Sequence, residues 1–154
     1  MRLTAFTDYG LRMLMRMASV PERVFSTAEL ADELGLSRNH LAKIIQKLAQ
    51  VGIVETRRGG GGGSVLARQP AHISLGEIIR HLEEGHPLVD CLAHEPRDCS
   101  LDGQCRLKFR LQAAERAFLA ELDKHSLASV ALSRLSGARD HLMPPTGTQA
   151  EARP

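Results

Sequence analysis

A mainly α chain carrying one small β-hairpin is predicted by three observations. Apolar residues make up 43% of the chain while aromatics are only 3%, with no Trp, one Tyr and four Phe, so Leu, Ile, Val, Ala and Met must fill the core, a set that favours helices. Apolar residues recur at helical spacing in stretches punctuated by Gly and Pro. Two short β-prone runs flank five consecutive glycines. A length of 154 residues allows one domain, or one small domain with an appendage, and excludes a two-domain metabolic enzyme.

The first helix is expected over residues 4–17, where Phe6, Leu11, Leu14 and Met15 share a face and Pro21 ends the run. Met13, Met15 and Met17 sit there at core spacing, which outweighs a soft-metal reading. Ser26 and Glu29 have the spacing of a capping box for a helix carrying Leu30 and Leu34, which Gly35 closes. Ser37 is expected to cap a third helix with Leu41, Ile44, Ile45 and Leu48 on one face and Arg38, Asn39, Lys43 and Lys47 elsewhere. Helix, glycine turn and helix form a helix-turn-helix, the second helix being the one that reads DNA in such motifs.

After Gly52, the runs 53–56 and 64–67 predict a hairpin whose long flexible tip is the glycine stretch. The glycines lack the following Lys-Ser/Thr of a phosphate loop and join two strands instead of opening a helix. Helix-turn-helix plus hairpin makes a winged helix, expected over residues 1–84. Ser74 and Glu77 repeat the capping-box spacing for a helix with Leu75, Ile78, Ile79 and Leu82 inward and Gly85 as its stop. Residues 85–104 lose all periodicity and read as a loop. A long helix from Cys105 to about His125 then carries Leu107, Leu111, Ala114, Phe118 and Leu122 on one stripe, long enough to pack against a second copy. It is followed by a short segment to Leu135, and the Gly/Pro/Thr/Ala composition of 136–154 predicts a disordered tail.

Formal net charge is only +2, too mild to name nucleic acid as a partner. Between Ser37 and Arg68, however, six basic side chains face Glu55 alone, a local charge of +5. The first turn of a reading helix meets base edges in the major groove, which places Arg38, Asn39 and His40 for base contact, with Ser37 at the turn itself. Lys43 and Lys47 are placed for phosphates, Arg57 and Arg58 for the backbone or minor groove, and Gly60 and Gly61 let the wing tip approach sugar and phosphate. The plainer alternative is a solvated charged helix beside a loose loop, and His40 is as readily a surface filler. The turn, the reading helix and the basic wing occurring together favour double-stranded DNA.

No apolar run approaches the roughly 18 residues of a membrane span. Arg2, Asp8 and Arg12 interrupt the N-terminal stretch, which is unlike a signal peptide, so the cytoplasm is the expected compartment. Thiols stay reduced there, and Cys91, Cys99 and Cys105, with seven and five residues between them, suit a metal or redox site better than a disulfide. No Cys-x2-Cys pair of a zinc ribbon occurs. Three thiolates can hold an iron–sulfur cluster that lacks one ligand. Candidates for the fourth are His86, His94, Asp90, Asp98 and Asp102, and a weak oxygen ligand would leave one iron open to small molecules, as befits a sensor. Zinc in a Cys3His site using His94, and three incidental cysteines, are the alternatives. No Ser-His-Asp, Cys-His or paired-carboxylate constellation marks an enzyme.

The opening Met1-Arg2-Leu3-Thr4-x-Phe6-Thr7-Asp8-Tyr9-Gly10-Leu11-Arg12, the run from Leu36 to Ile45 with Ser37-Arg38-Asn39-His40 at its turn, the Arg57-Arg58-glycine wing and the cysteine spacing occur together. Over residues 1–135 the chain resembles the NsrR family of nitric-oxide-sensing winged-helix repressors. The related IscR regulators have a shorter first cysteine gap, a His where this chain has Lys108, and a Glu in the reading helix where it has Ala42. The resemblance implies a homodimer on a palindromic operator, paired through the helix 105–125, with each cluster close to the DNA-binding domain of the other subunit. It implies Cys91, Cys99 and Cys105 as ligands of a cluster, 4Fe-4S ahead of 2Fe-2S, Asp8 as a fourth ligand from the partner subunit, and Arg12 supporting the site. Nitric oxide would displace the carboxylate and release the operator. A sensor of iron–sulfur or redox status with the same fold is the runner-up, and a zinc-bound or electron-transfer protein stands behind it.

Overall fold

The computed structural model describes residues 3–92, 99, 101 and 104–132. The expected tail 136–154 and the candidate ligands His94, Asp98 and Asp102 lie outside them. Five helices and one hairpin follow in the order α1 (Ala5–Ala18), α2 (Thr27–Leu34), α3 (Arg38–Gln50), β1 (Val54–Arg57), β2 (Gly63–Leu66), α4 (Leu75–Leu82) and α5 (Arg106–Asp123). Single 3-10 turns at Pro70–His72 and Asp90–Leu92 leave no trace in the periodicity, because one turn is too short to show a repeat, while the short segment expected after the long helix contains a third 3-10 turn, Leu127–Val130.

Caps set most boundaries. The Thr4 hydroxyl accepts from the Thr7 N–H to start α1, Ser26 does the same from Glu29 for α2, and Ser74 from Glu77 for α4. Gly35 ends α2 in the left-handed conformation at φ 64°, which a side chain would strain. Ser37 departs from expectation. It occupies the N-cap position of α3, but its exposed side chain makes no capping hydrogen bond, so the first-turn donors of that helix are left to other partners.

Met13, Leu14 and Met17 of α1, Leu30 of α2, Leu41, Ile44 and Leu48 of α3, and Ile78 and Leu82 of α4 bury their side chains in one core, with Phe25 and Ile53. Leu75 is half-buried at its margin. Three helices meet closely at Gly10, where an added Cβ would lie 2.6 Å from Leu82 Cδ1 of α4 and 3.4 Å from Ile44 Cγ2 of α3. The hairpin is antiparallel, pairing Val54 with Leu66 and Arg57 with Gly63. Phe25 adds a bridge on its far edge, its N–H and C=O both bonding Ser64 at 2.8 Å, so the wing is anchored to the chain before α2.

After α5 the chain returns to the winged domain. Leu127 is fully buried, its N–H bonds the Ile73 carbonyl at 2.8 Å, and Leu132 N–H reaches the Met15 carbonyl at 3.3 Å. The α4–α5 junction turns on Asp123, whose carboxylate accepts from Ser74 Oγ at 2.8 Å and from both terminal nitrogens of Arg80, one of them at 3.1 Å. Gly76 lies directly beneath that carboxylate, where no side chain fits.

The Arg80 hydrogen bond, followed by the one from Ser74, holds the Asp123 carboxyl below the usual carboxylate range. A carboxyl depressed in the folded state stabilises the fold above its unfolded value of about 3.9, and the contribution is lost as pH falls through the lower folded value. Asp123→Asn is therefore expected to unfold at lower urea than the parent at neutral pH, with the difference closing in strong acid. Urea titrations at the two pH values check this, and an unchanged gap in acid would refute it.

Candidate nucleic-acid interface and cysteine segment

Because Leu41, Ile44, Ile45 and Leu48 point α3 into the core, the rest of the helix must face outward. Arg38, Asn39, His40, Ala42, Lys43 and Gln46 are all exposed there. The turn from Gly35 feeds this helix, with Leu36 N–H bonding the Ala31 carbonyl at 2.9 Å. Four of the expected readers, Arg38, Asn39, His40 and Lys43, thus lie together on one surface. Two carry intramolecular partners that sequence reasoning did not find. Arg38 lies 3.6 Å from Asp32 of α2, and the His40 ring stacks on Tyr9 of α1 with centroids 6.1 Å apart and 30° between planes. Both pairs join residues on different helices, so no local pattern announces them.

Lys47 is placed differently from the expectation that it serves phosphates. Half-buried in the last turn of α3, its ammonium is paired with Glu84, just beyond α4. That hydrogen bond holds the Glu84 carboxyl below the ordinary range. The sequence-local charge of +5 is therefore reduced in space, since Asp32 and Glu84 approach it from other elements.

Arg57 and Arg58 are exposed at the root of the wing, with Arg57 3.5 Å from Glu55 on the same strand. The glycine tip is closed more tightly than a loose loop. Gly61 and Gly62 N–H groups both bond the Gly59 carbonyl, at 2.9 and 2.8 Å, and Gly59 takes φ 109°. A Cβ at Gly62 would strike the Arg57 carbonyl, and one at Gly63 the carbonyl of Phe25. Gly60 and Gly61 have open space around them and stay exposed, so the tip presents bare backbone.

The three cysteines are free thiols, Cys91 and Cys105 half-buried and Cys99 exposed. Cys91 lies in the 3-10 turn Asp90–Leu92 and Cys105 occupies the N-cap of α5, where no side-chain capping bond forms. Reduced cysteines supply the sulfur donors that iron–sulfur clusters use. The donor set fits such a group. Among the described residues, no three of His, Cys, Asp or Glu gather in a metal-holding arrangement. Asp8 instead pairs with Arg12, one turn along α1, at 2.8 Å, with both side chains about half exposed. It borders an open groove of about 660 Å3 with Leu3, Thr4, Ala5, Tyr9 and Leu11.

The α5 helix has no buried residue. Leu107 and Phe118 of the expected stripe are 64% and 36% exposed, while Leu111 and Leu122 are half-buried. Phe109, which lies off that stripe, is the most exposed of the large apolar side chains among the described residues, at 66%. Among the described residues no helix is long and apolar enough to cross a membrane.

A family model described as Rrf2, iron-dependent transcriptional regulator, matches residues 3–132. Among solved structures, IscR of T. potens is 28% identical with a TM-score of 0.63, over 83% of this chain and 84% of that one. CymR, the global cysteine regulator of B. subtilis, is 27% identical with a TM-score of 0.64, over 85% and 96%. CymR of Staphylococcus aureus is 25% identical with a TM-score of 0.60, over 83% and 96%.

Proposed function

Because this chain belongs to the Rrf2 family and is by that membership a DNA-binding transcriptional regulator, we propose that it is a repressor that senses nitric oxide through an iron–sulfur cluster. The observation that carries the reading is the set of three free thiols between the winged domain and the exposed α5. Cys91, Cys99 and Cys105 would hold the cluster, with Asp8 of the partner subunit as a fourth, weaker donor beside thiolates. When bound, the group supplies iron to which nitric oxide can bind. The rest is work for the chain itself. Arg12 pairs with the Asp8 carboxylate on the same helix at 2.8 Å and would hold it there whenever it is not serving as a ligand. The exposed apolar side chains of α5 supply the surface for a second copy, and Arg38, Asn39, His40 and Lys43 then meet successive major grooves about 34 Å apart. Ser37, Gly60 and Gly61 contribute backbone and hydroxyl contacts to phosphate, and Arg57 and Arg58 their charge.

Anaerobically purified protein is expected to be straw to brown, and to change its absorption and its native mass on adding nitric oxide. Asp8→Ala is expected to alter the cluster spectrum and the nitric-oxide response. A colourless zinc protein, or an Asp8→Ala variant unchanged in spectrum, response and DNA affinity, would remove this reading. A second reading, a sensor of cluster supply or redox state, is favoured by the likeness to IscR of T. potens. It predicts a coloured protein whose DNA affinity follows cluster loss or oxidation and is indifferent to nitric oxide.

A further inference from the structure

Two adjacent carboxylates just after α4 reach to different helices. Glu83 Oε1 accepts from the Thr4 backbone N–H at 2.8 Å and from its hydroxyl at 3.0 Å, at the cap of α1. Glu84 takes the Lys47 ammonium in the last turn of α3. The two helices also touch directly, through Tyr9 on His40. The contacts therefore close a ring: from Glu83 to the start of α1, across Tyr9 and His40 to the start of the reading helix, along α3 to Lys47, and back through Glu84. Inside it lies a close packing contact, Gly10 against Leu82 and Ile44, with Leu82 the residue immediately before Glu83. The turn is fixed on its own strand as well. Glu83 N–H bonds the Ile79 carbonyl, His86 N–H bonds the Glu83 carbonyl at 2.9 Å, and Gly85 adopts φ 87° between them.

We infer that Glu83 and Glu84 form a carboxylate clasp through which the chain leading to Cys91 positions α1 and the reading helix α3 of the same subunit as one body. Cys91 stands seven residues after Glu84, so a displacement of the chain at Cys91 is passed back to this turn over a short connection. The clasp gives that displacement an intrachain route to the DNA-reading surface, besides any route through the partner's Asp8. As a signalling device it rests on the sensing function proposed above, because that supplies the displacement. As a mechanical link it does not. The Lys47–Glu84 arm alone is an exposed ion pair of small effect and the Thr4–Glu83 arm a part-buried pair of hydrogen bonds, and what distinguishes a clasp is that opening one arm loosens the other.

Native-state hydrogen exchange of the full chain, followed by NMR, tests this without DNA or cluster. Glu84→Ala, an exposed position outside the core, is expected to speed exchange in the last turn of α3 by about two- to fivefold, the range an exposed ion pair allows. The same factor is expected at the Thr7 and Asp8 amides of α1, which Glu84 does not touch. The charge swap Lys47→Glu with Glu84→Lys is expected to restore both. Faster exchange confined to α3, no change at either helix, or a swap that restores neither would overturn the clasp. If the exchange pattern holds while the anaerobic protein ignores nitric oxide, the sensing function falls and the clasp stands. The opposite pair of results removes the clasp alone.

Discussion

Phe25→Ala is expected to lower the unfolding free energy by about 3–5 kcal/mol, the usual cost of truncating a fully buried aromatic. Phe25 is the largest of the fully buried side chains, and it stands where the wing joins the helices. Its backbone bridges Ser64 in both directions, and two guanidinium groups lie over its ring, Arg16 at 4.8 Å and Arg23 at 4.7 Å from the centroid. Those arginines are themselves held, Arg16 by Glu33 and Arg23 by Glu29. Removal of the ring leaves a cavity and withdraws two cation–π contacts, each worth about 0.5–1 kcal/mol at the surface. A domain whose whole stability is about 5–15 kcal/mol loses much of its margin. Urea denaturation checks the value. A loss below about 1 kcal/mol would show that the ring is not the hinge of the wing.

The double substitution Arg57→Ala with Arg58→Ala is expected to weaken binding to any duplex and to reduce the slope of log affinity against log salt by about 2, one for each lost phosphate contact. Both side chains are exposed on β1 and at its end, away from the core, so folding should be unaffected. By contrast, Arg38→Ala or Asn39→Ala is expected to relax discrimination between sequences, by about 1–3 kcal/mol for each base contact. Fluorescence anisotropy on one random and one genomic upstream duplex, across a salt series, separates the two. Equal slopes for parent and double variant would take the wing root off the phosphate backbone.

The helices and their caps were legible because they are local. Ser26 with Glu29 and Ser74 with Glu77 announce a helix start within four residues, and Gly35 announces a stop. The hairpin was legible to within one residue at each strand end, since β-prone runs and glycines alternate plainly. The outward residues of α3 followed from the inward ones. What sequence could not show is whatever depends on two distant segments meeting. The Lys47–Glu84 pair spans 37 positions and the Thr4–Glu83 contacts 79, and no spacing rule reaches that far. Ser37 shows a different limit, because a capping residue in the capping place still has to turn its oxygen to the helix, and here it does not. Phe109 was missed because a single stripe was assumed, whereas α5 leaves apolar side chains on more than one side.

A helix of 18 residues with nothing buried is near the marginal length for independence in water. Beyond its junction with α4 at Asp123, its order is lent by whatever covers its exposed apolar side chains, and when the cover is another copy of the chain, concentration becomes a structural variable. Dilution then acts on this protein as a mild denaturant, and its melting temperature should climb with the amount in the tube. For a regulator paired in this way, the same dependence in a cell ties the integrity of α5 to how much of it has been made.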